Sequence, residues 1–415
     1  MNVLLVSTYD IEGGAARAAY RLHQGLQGKG ISSKMLVQDK SSNDVSVFAP
    51  KTRLDQGIAR ARLTLDALPL KFSRKRDSST FSLQWLPEGI VPKITQFEPD
   101  VINLHWIGEA FVQAEAIGKF DKPLVWTLHD MWAFTGGCHY NQDCDRYTAS
   151  CGACPQLGSS KDWDLSRWVW QRKAKSWRNL NLTIVALSSW LAKCATSSSL
   201  FQDVRVELIP NGLDTEKYKP INRHVARDLL NLPQDKQLIL FGSLKATGDQ
   251  RKGFHLLQPA LRDLSKSGWQ DRLELVIFGA SEPDNPPDFG LKAHYLGTFS
   301  DDLSLALVYS AADVFVLPST QENLANTVME AIACGTPCVA FNIGGMPDMI
   351  EHQKNGYLAQ AYKNEDLAQG ITWVLENEER HQKLSHRARE KAQQEFTLEI
   401  QARRYLSIFT EICDC

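Results

Sequence analysis

The chain has no run of eighteen consecutive apolar residues, so no segment reads as a membrane-spanning helix. It also lacks an excess of charge of one sign. With 46 Lys and Arg against 48 Asp and Glu the net charge is −2, which gives no global attraction for nucleic acid. Any anionic ligand has to be held by local basic groups. Low-complexity tracts and repeats of solenoid period are missing, and so is a full GxGxxG fingerprint. The opening Met1-Asn-Val-Leu-Leu-Val-Ser is short and has no basic flank, so it reads as a first strand and not as a signal peptide. The expected compartment is the cytoplasm, where most of the nine cysteines remain thiols or bind metal. At 415 residues the chain exceeds one ordinary core, which points to two domains.

Val3-Leu4-Leu5-Val6 is a buried-strand run, and Gly13-Gly14 then opens a helical pattern to about Gln27. Strand, glycine turn and helix start form a geometry that lets backbone approach a phosphate, or simply a tight turn. Ser33 to Gln38 reads as the next strand. Lys51 to Arg76 holds eight Lys and Arg against two acids. Within it Leu54, Ile58, Ala61, Leu65 and Leu68 recur at helical spacing. That pattern predicts a helix with its apolar side on the core and a solvated basic side; the alternative is a helix resting on an anionic membrane surface.

Two further strand runs, Asp100 to His105 and Leu124 to His129, each end in a histidine, which suggests one site at neighbouring strand ends with His129 as the candidate. After the second come Cys138, Cys144, Cys151 and Cys154, four of the nine cysteines within seventeen residues. Cys151-x-x-Cys154 has knuckle spacing, and four thiolates would close a structural zinc site near His129, with disulfide pairing as the alternative. Asp164 to Trp177 is an aromatic and basic helix. Strands at Leu182 and Val204 complete the first half, which ends at the turn Pro210-Asn211-Gly212-Leu213-Asp214.

The pattern then restarts. Leu238 to Gly242 is a buried strand, and Arg251-Lys252-Gly253 opens a helix. Cations at a helix start oppose the dipole and need a separate reason, such as an anionic ligand. After strands at Leu273, His294 and Val314, the chain runs through Glu322 into a helix from about Leu324 to Ala333 carrying Glu330. Eight helical steps return to within about a quarter turn, so both carboxylates could serve one crevice at a strand end. The bland alternative is one helix-start acid and one solvated acid. Cys338 to Phe341, Gly344-Gly345, a charged helical stretch from Asp366 to Glu395 and a last amphipathic helix follow.

In this order Gly13-Gly14, Thr127-Leu128-His129, Ser188-Ser189-Trp190, Pro210 to Asp214, Arg251-Lys252-Gly253, Glu322-x7-Glu330 and Gly344-Gly345 resemble the retaining, nucleotide-sugar-dependent glycosyltransferases of family four, over nearly the whole chain. The cysteine-rich insert resembles a subgroup associated with bacterial surface polysaccharide synthesis. The resemblance implies an α/β chain of GT-B architecture, two Rossmann-like doubly wound parallel-sheet domains facing a cleft. Residues 1–205 would be the acceptor side, with the insert at 136–157 and a helix at 397–412 packing back on it, and 206–396 the donor side. It implies His129, Lys252 and Glu322 as the catalytic set. Gly13, Gly14, Arg251, Lys252, Glu322, Asn323, Leu324 and Glu330 would bind the donor, with Glu330 on the ribose, Glu322 on the sugar and Lys252 on the diphosphate.

The implied reaction moves a hexose or N-acetylhexosamine from a nucleotide-diphosphate sugar to a glycan or lipid-linked glycan, with no catalytic metal; peripheral contact at the inner face of an anionic membrane is the alternative that the basic helix leaves open. The alternatives are a sugar-nucleotide epimerase and a non-catalytic, zinc-stabilised assembly protein on the same scaffold. Three departures stand out. Ser243 follows Gly242 where the family often has Arg, leaving Arg251 or Lys245 to supply a second charge. Asn323-Leu324-Ala325 replaces Gly-Phe-Gly, and Asp348 stands where Glu is common.

Overall fold

The apolar runs pair into two sheets in which every strand pairing is parallel. The structure, a computed structural model, describes residues 1–50, 53–73, 75–87, 89–242 and 249–414, apart from the side chains of 53–56 and 60. Its first unit comprises Met1–Asn211 and Leu398–Cys415, and its second comprises Gly212–Thr397.

In the first unit the strands are β1 (Asn2–Tyr9), β2 (Ser32–Asp39), β3 (Val47–Phe48), β4 (Val101–Leu104), β5 (Leu124–Leu128), β6 (Leu182–Ala186) and β7 (Arg205–Leu208). They lie in the order β3-β2-β1-β4-β5-β6-β7. In the second, β8 (Gln237–Gly242), β9 (Leu273–Phe278), β10 (Ala293–Tyr295), β11 (Val314–Leu317), β12 (Cys338–Phe341) and β13 (Gly356–Ala359) lie in the order β10-β9-β8-β11-β12-β13. Both are doubly wound orders, in which the chain reverses direction across the sheet beside its first strand. The crevices for ligands therefore open past the carboxyl ends of β1 and β4, and of β8 and β11.

Alternation along β1 shows why these runs are continuously apolar. Leu4 and Val6 join a core with Ile102, Leu104, Trp126 and Leu128, while Val3 and Leu5 join another with Ala19, Leu22 and Leu26. Side chains alternate between faces, and both faces are covered. The second cover is completed by the helix Leu398–Cys413, whose Ala402, Tyr405, Ile408 and Phe409 enter the same core. It approaches the helix Gly14–Gly28 so closely that a Cβ on Gly25 would lie 3.1 Å from the Leu398 carbonyl oxygen. The sheet of the second unit packs Ile239, Phe241, Leu275, Val314 and Val316 against Leu257, Leu261 and Ile371.

One expectation is reversed. The helix Arg53–Asp66 does not turn its aliphatic stripe to the core: Ile58 is 58% exposed and Leu65 46%, with Leu68 and Phe72 also exposed just beyond it. Leu54 lies outside the described side chains. What fixes this helix is polar. Asp66 accepts hydrogen bonds from the backbone N–H of Gln84 (3.0 Å) and Trp85 (2.9 Å), and Arg62 donates to the carbonyls of Leu86 and Ala110. The periodicity identified the helix, but periodicity carries no information on whether a core exists for the stripe to meet.

Phe409 is fully buried, so Phe409→Ala is expected to destabilise the first unit by about 3–5 kcal/mol, read as a drop in the denaturant midpoint of that unit's transition.

Candidate functional site

In the second unit the site grows from the carboxyl end of β11. Pro318 ends that strand and the chain runs through Ser319 and Gln321 to Glu322, which is 6% exposed. Glu322 pairs with the ammonium of Lys252 and lies 3.2 Å from Nη1 of Arg251. Ser319 Oγ lies 3.3 Å from the same carboxylate oxygen. Burial alone would raise the Glu322 pKa, but Lys252 first and Arg251 second override it and hold the carboxyl down at about 2. Arg251 also donates to the Gln321 carbonyl (3.0 Å), and Thr320 N–H to the Arg251 carbonyl (2.8 Å), so the two loops are stitched together.

Two glycines make this close fit attainable. Gly253 has φ +72°, and a Cβ there would meet the Pro318 carbonyl oxygen at 1.7 Å. Gly344 has φ +50°, and its Cβ would meet the Glu322 carbonyl oxygen at 1.9 Å. Gly345 N–H donates to that same carbonyl at 3.2 Å. Glycine serves both positions because it allows the left-handed backbone and leaves no side chain in the contact. The Gly-Gly pair read as a helix-start turn is thus also a brace under Glu322.

Glu330 sits on the helix Asn326–Ala333 and is 4% exposed, with the Tyr309 hydroxyl donating to Oε2 at 2.9 Å. Asn323 and Leu324 are buried as well. Ser243 and Lys245, and with them the question of a second charge after Gly242, lie outside the described residues.

In the first unit Gly13 takes φ +88° at the start of the helix Gly14–Gly28, with no heavy atom within 4 Å of where a Cβ would stand. The loop before it is anchored by Asp10, which accepts from the N–H groups of Ile11, Ser41 and Ser42 at 2.9–3.0 Å. His129, just past β5, meets His105, just past β4: Nε2 of the first is 3.0 Å from Nδ1 of the second. Burial lowers the His129 pKa to about 4 against the opposing pull of Asp130. Asp130 accepts from Trp106 Nε1 (2.8 Å) and Trp132 N–H (2.8 Å) and pairs with His139 Nδ1 at 2.6 Å. A cavity of about 20 Å³, the size of a single water site, lies among His105, Trp106, His129, Asp130 and His139. Sequence reasoning joined the two histidines but missed Asp130 and His139. The signal was faint: His139 follows Cys138, and the cysteine spacing drew the attention.

The zinc expectation is corrected. Cys138, Cys144, Cys151 and Cys154 do line one void of about 20 Å³. Among the described residues, however, no group of three or more His, Cys, Asp or Glu side chains is arranged to hold a metal ion. The four are free thiols, and burial pushes Cys151 up to about 12 and Cys138 higher still. Hydrogen bonds hold the insert instead. Asp164 accepts from Cys154 N–H and caps the helix Leu165–Trp177, and Ser166 Oγ accepts from Gly152 N–H. The fully buried Lys173 donates to the Trp132 and Thr135 carbonyls, with its ammonium 3.6 Å from the centre of the Trp132 ring.

Residues 12–217 match the family model Glycosyltransferase Family 4 and residues 225–391 the model Glycosyl transferases group 1. The chain is 27% identical to the sulfoquinovosyl transferase SQD2 of Arabidopsis thaliana, over 73% of this chain and 55% of that one. Against the putative colanic acid biosynthesis glycosyl transferase WcaC of Escherichia coli K12 it is 24% identical over 86% of each. Of two other bacterial relatives at 28% and 31% identity it spans 64% and 46% of the length. In structure it is similar to HepE of Anabaena, solved in complex with UDP-glucose: TM-score 0.67, 17% identity, 99% of this chain and 100% of that one. Two Rossmann-like parallel-sheet units with these likenesses define the GT-B class of fold. Within that class the chain belongs to family four, with a group 1 domain as its second half.

The Glu322 cluster has a definite acid signature. A carboxyl depressed on folding contributes stability above its unfolded pKa, near 4.5, and loses it as pH falls toward 2. The melting-temperature gap between wild type and Glu322→Gln, worth up to about 3 kcal/mol at neutral pH, is expected to close as pH is lowered through that window.

Proposed function

We propose that this protein is a retaining glycosyltransferase that moves a hexose or N-acetylhexosamine from a nucleotide-diphosphate sugar to a glycan or lipid-linked glycan in polysaccharide synthesis. The observation that carries the proposal is the Arg251–Lys252–Glu322 cluster, fixed by Gly253 and Gly344 at the carboxyl end of β11. Breaking the anomeric C–O bond builds positive charge on the sugar and negative charge on the departing diphosphate. Cations fixed in advance lower that barrier because they need not reorganise as charge develops.

In this reading Lys252 and Arg251 receive the diphosphate, and Glu322 both aims Lys252 and contacts the sugar. Glu330, oriented by Tyr309, takes the ribose hydroxyls. The Gly13-Gly14 turn lets the first loop approach the phosphates, and His129 lines the sugar and acceptor position. Asn323 and Leu324 shape the sugar pocket. Retention follows from attack on the same face, with the leaving phosphate taking the acceptor's proton, so no protein general base is assigned. The relatives support the donor class: HepE is solved with UDP-glucose, and WcaC is described as a glycosyl transferase of colanic acid biosynthesis.

The exposed stripe of Ile58, Leu65, Leu68 and Phe72, with Lys71 and Lys75 beside it, supports peripheral docking on an anionic membrane at the cytoplasmic face, where a lipid-linked acceptor would be met. Among the described residues no helix is long and apolar enough to cross a membrane.

Two measurements test these assignments. Across a panel of nucleotide sugars, one is expected to raise the melting temperature and to be consumed only when a glycan acceptor is present. Glu330→Ala or Lys252→Ala should then cut turnover at least about a hundredfold. Donor conversion at full rate without acceptor would instead indicate an epimerase. Co-sedimentation with vesicles containing anionic phosphatidylglycerol is expected, and Phe72→Ser should weaken it about tenfold; equal binding by the variant would remove the stripe from the membrane contact.

A further inference from the structure

Asn103 lies inside β4, fully buried, and its side chain is surrounded by groups that dictate how it must point. The Val125 carbonyl can only accept, so the Asn103 atom 3.0 Å from it is the Nδ2 donor. Its second N–H goes to Thr127 Oγ1 at 3.1 Å. Oδ1 is then the atom facing His105 Nε2 at 3.0 Å, and it must accept a proton from that nitrogen. His105 is 3% exposed, and burial, with His129 beside it, holds its pKa well below the usual value, so it carries a single proton. Its Nδ1 therefore carries the lone pair. Nε2 of His129, 3.0 Å away, has to be the donor. The Thr127 hydroxyl is in turn bonded at 2.8 Å to the Tyr405 hydroxyl, 278 residues further along the chain.

We propose that Asn103 and His105 are positioning residues that hold His129 in its Nε2–H form with the lone pair on Nδ1, and that Tyr405 clamps this relay from the C-terminal helix through Thr127. The proposal rests on the reading of His129 as part of the transferase site. In this form His129 is uncharged and adds no positive charge toward a diphosphate. From the Val125 carbonyl through Asn103 and His105 to His129 the contacts run one way, each donor fixed by the acceptor before it, while the Thr127–Tyr405 bond branches from Asn103 and either hydroxyl can donate.

The test is nitrogen NMR of the full-length protein labelled at its histidines, with His129 signals assigned by their loss in His129→Gln. Wild type is expected to show a protonated Nε2 and an unprotonated Nδ1 for both His105 and His129. A proton on Nδ1 of His129 would overturn the proposal. Asn103→Leu is expected to leave His129 a mixture of both forms and to lower kcat about tenfold, the usual scale for losing an orienting partner, with donor KM unchanged. An unchanged spectrum and kcat would overturn it equally. Should Asn103→Leu not fold, Thr127→Val keeps the shape while cutting the bonds to Asn103 and Tyr405. It leaves Asn103 with the Val125 carbonyl as one of its two acceptors, so a smaller shift of the same His129 signals is expected, and an unmoved spectrum removes Thr127 and Tyr405 from the relay. Failure of the transferase reading looks different: no nucleotide sugar would be consumed by wild type, while the NMR assignment would stand.

Discussion

Both sheets are covered on both faces, and this constraint decides where chemistry can occur. A strand such as β1, with Leu4 and Val6 in one core and Val3 and Leu5 in another, has no exposed side on which to carry a polar group. Polar side chains accordingly gather just past the carboxyl ends: Asp10 after β1, His105 after β4, His129 after β5 and Glu322 after β11. Asn103 and Thr127 are among the buried polar groups that sit within strands, and they are tolerated because they bond to each other. A buried polar group costs little when its partner is built in and a great deal when it is not.

The two units use this placement in different electrostatic ways. In the second unit a carboxylate and two cations share one small volume, each stabilising the other in its charged form. In the first unit two imidazoles are kept neutral by burial beside a carboxylate already engaged by His139, Trp106 and Trp132. Charge is concentrated in one unit and suppressed in the other.

The fold was legible because its signals are local. Runs such as Val314–Leu317, each followed by Gly or Pro and a helical pattern, encode strand, turn and helix within about twenty residues. Short strands were harder: β13 was not anticipated, since Gly356-Tyr357-Leu358-Ala359 is four residues long and begins with glycine. Lys252, Glu322 and Glu330 stood out through the family resemblance, since spacing alone favoured a bland reading of the two glutamates, and the contacts that position them could not be read from the sequence. The brace of Gly344 under Glu322 joins residues 22 apart, and no periodicity records it. The cysteine cluster misled for the opposite reason. Its spacing matches a metal knuckle, but spacing does not reveal that hydrogen bonds and the ammonium of Lys173 already hold that loop. The stripe of the helix Arg53–Asp66 misled likewise, since an apolar face implies a partner without saying that the partner is this chain.

The helix Leu398–Cys413 belongs to the first unit but is synthesised after the whole of the second. On the ribosome, then, the groove formed by Val3, Leu5, Leu22 and Leu26 stays without its lid while some two hundred residues are added, on the order of ten to forty seconds at ordinary rates. The second unit is continuous from Gly212 to Thr397 and can close during that interval. The first must wait with an apolar channel open to solvent, a natural place for a chaperone to hold the nascent chain. Arrival of Tyr405 and Phe409 therefore closes the first unit, completing a core whose first strand was made some four hundred residues earlier.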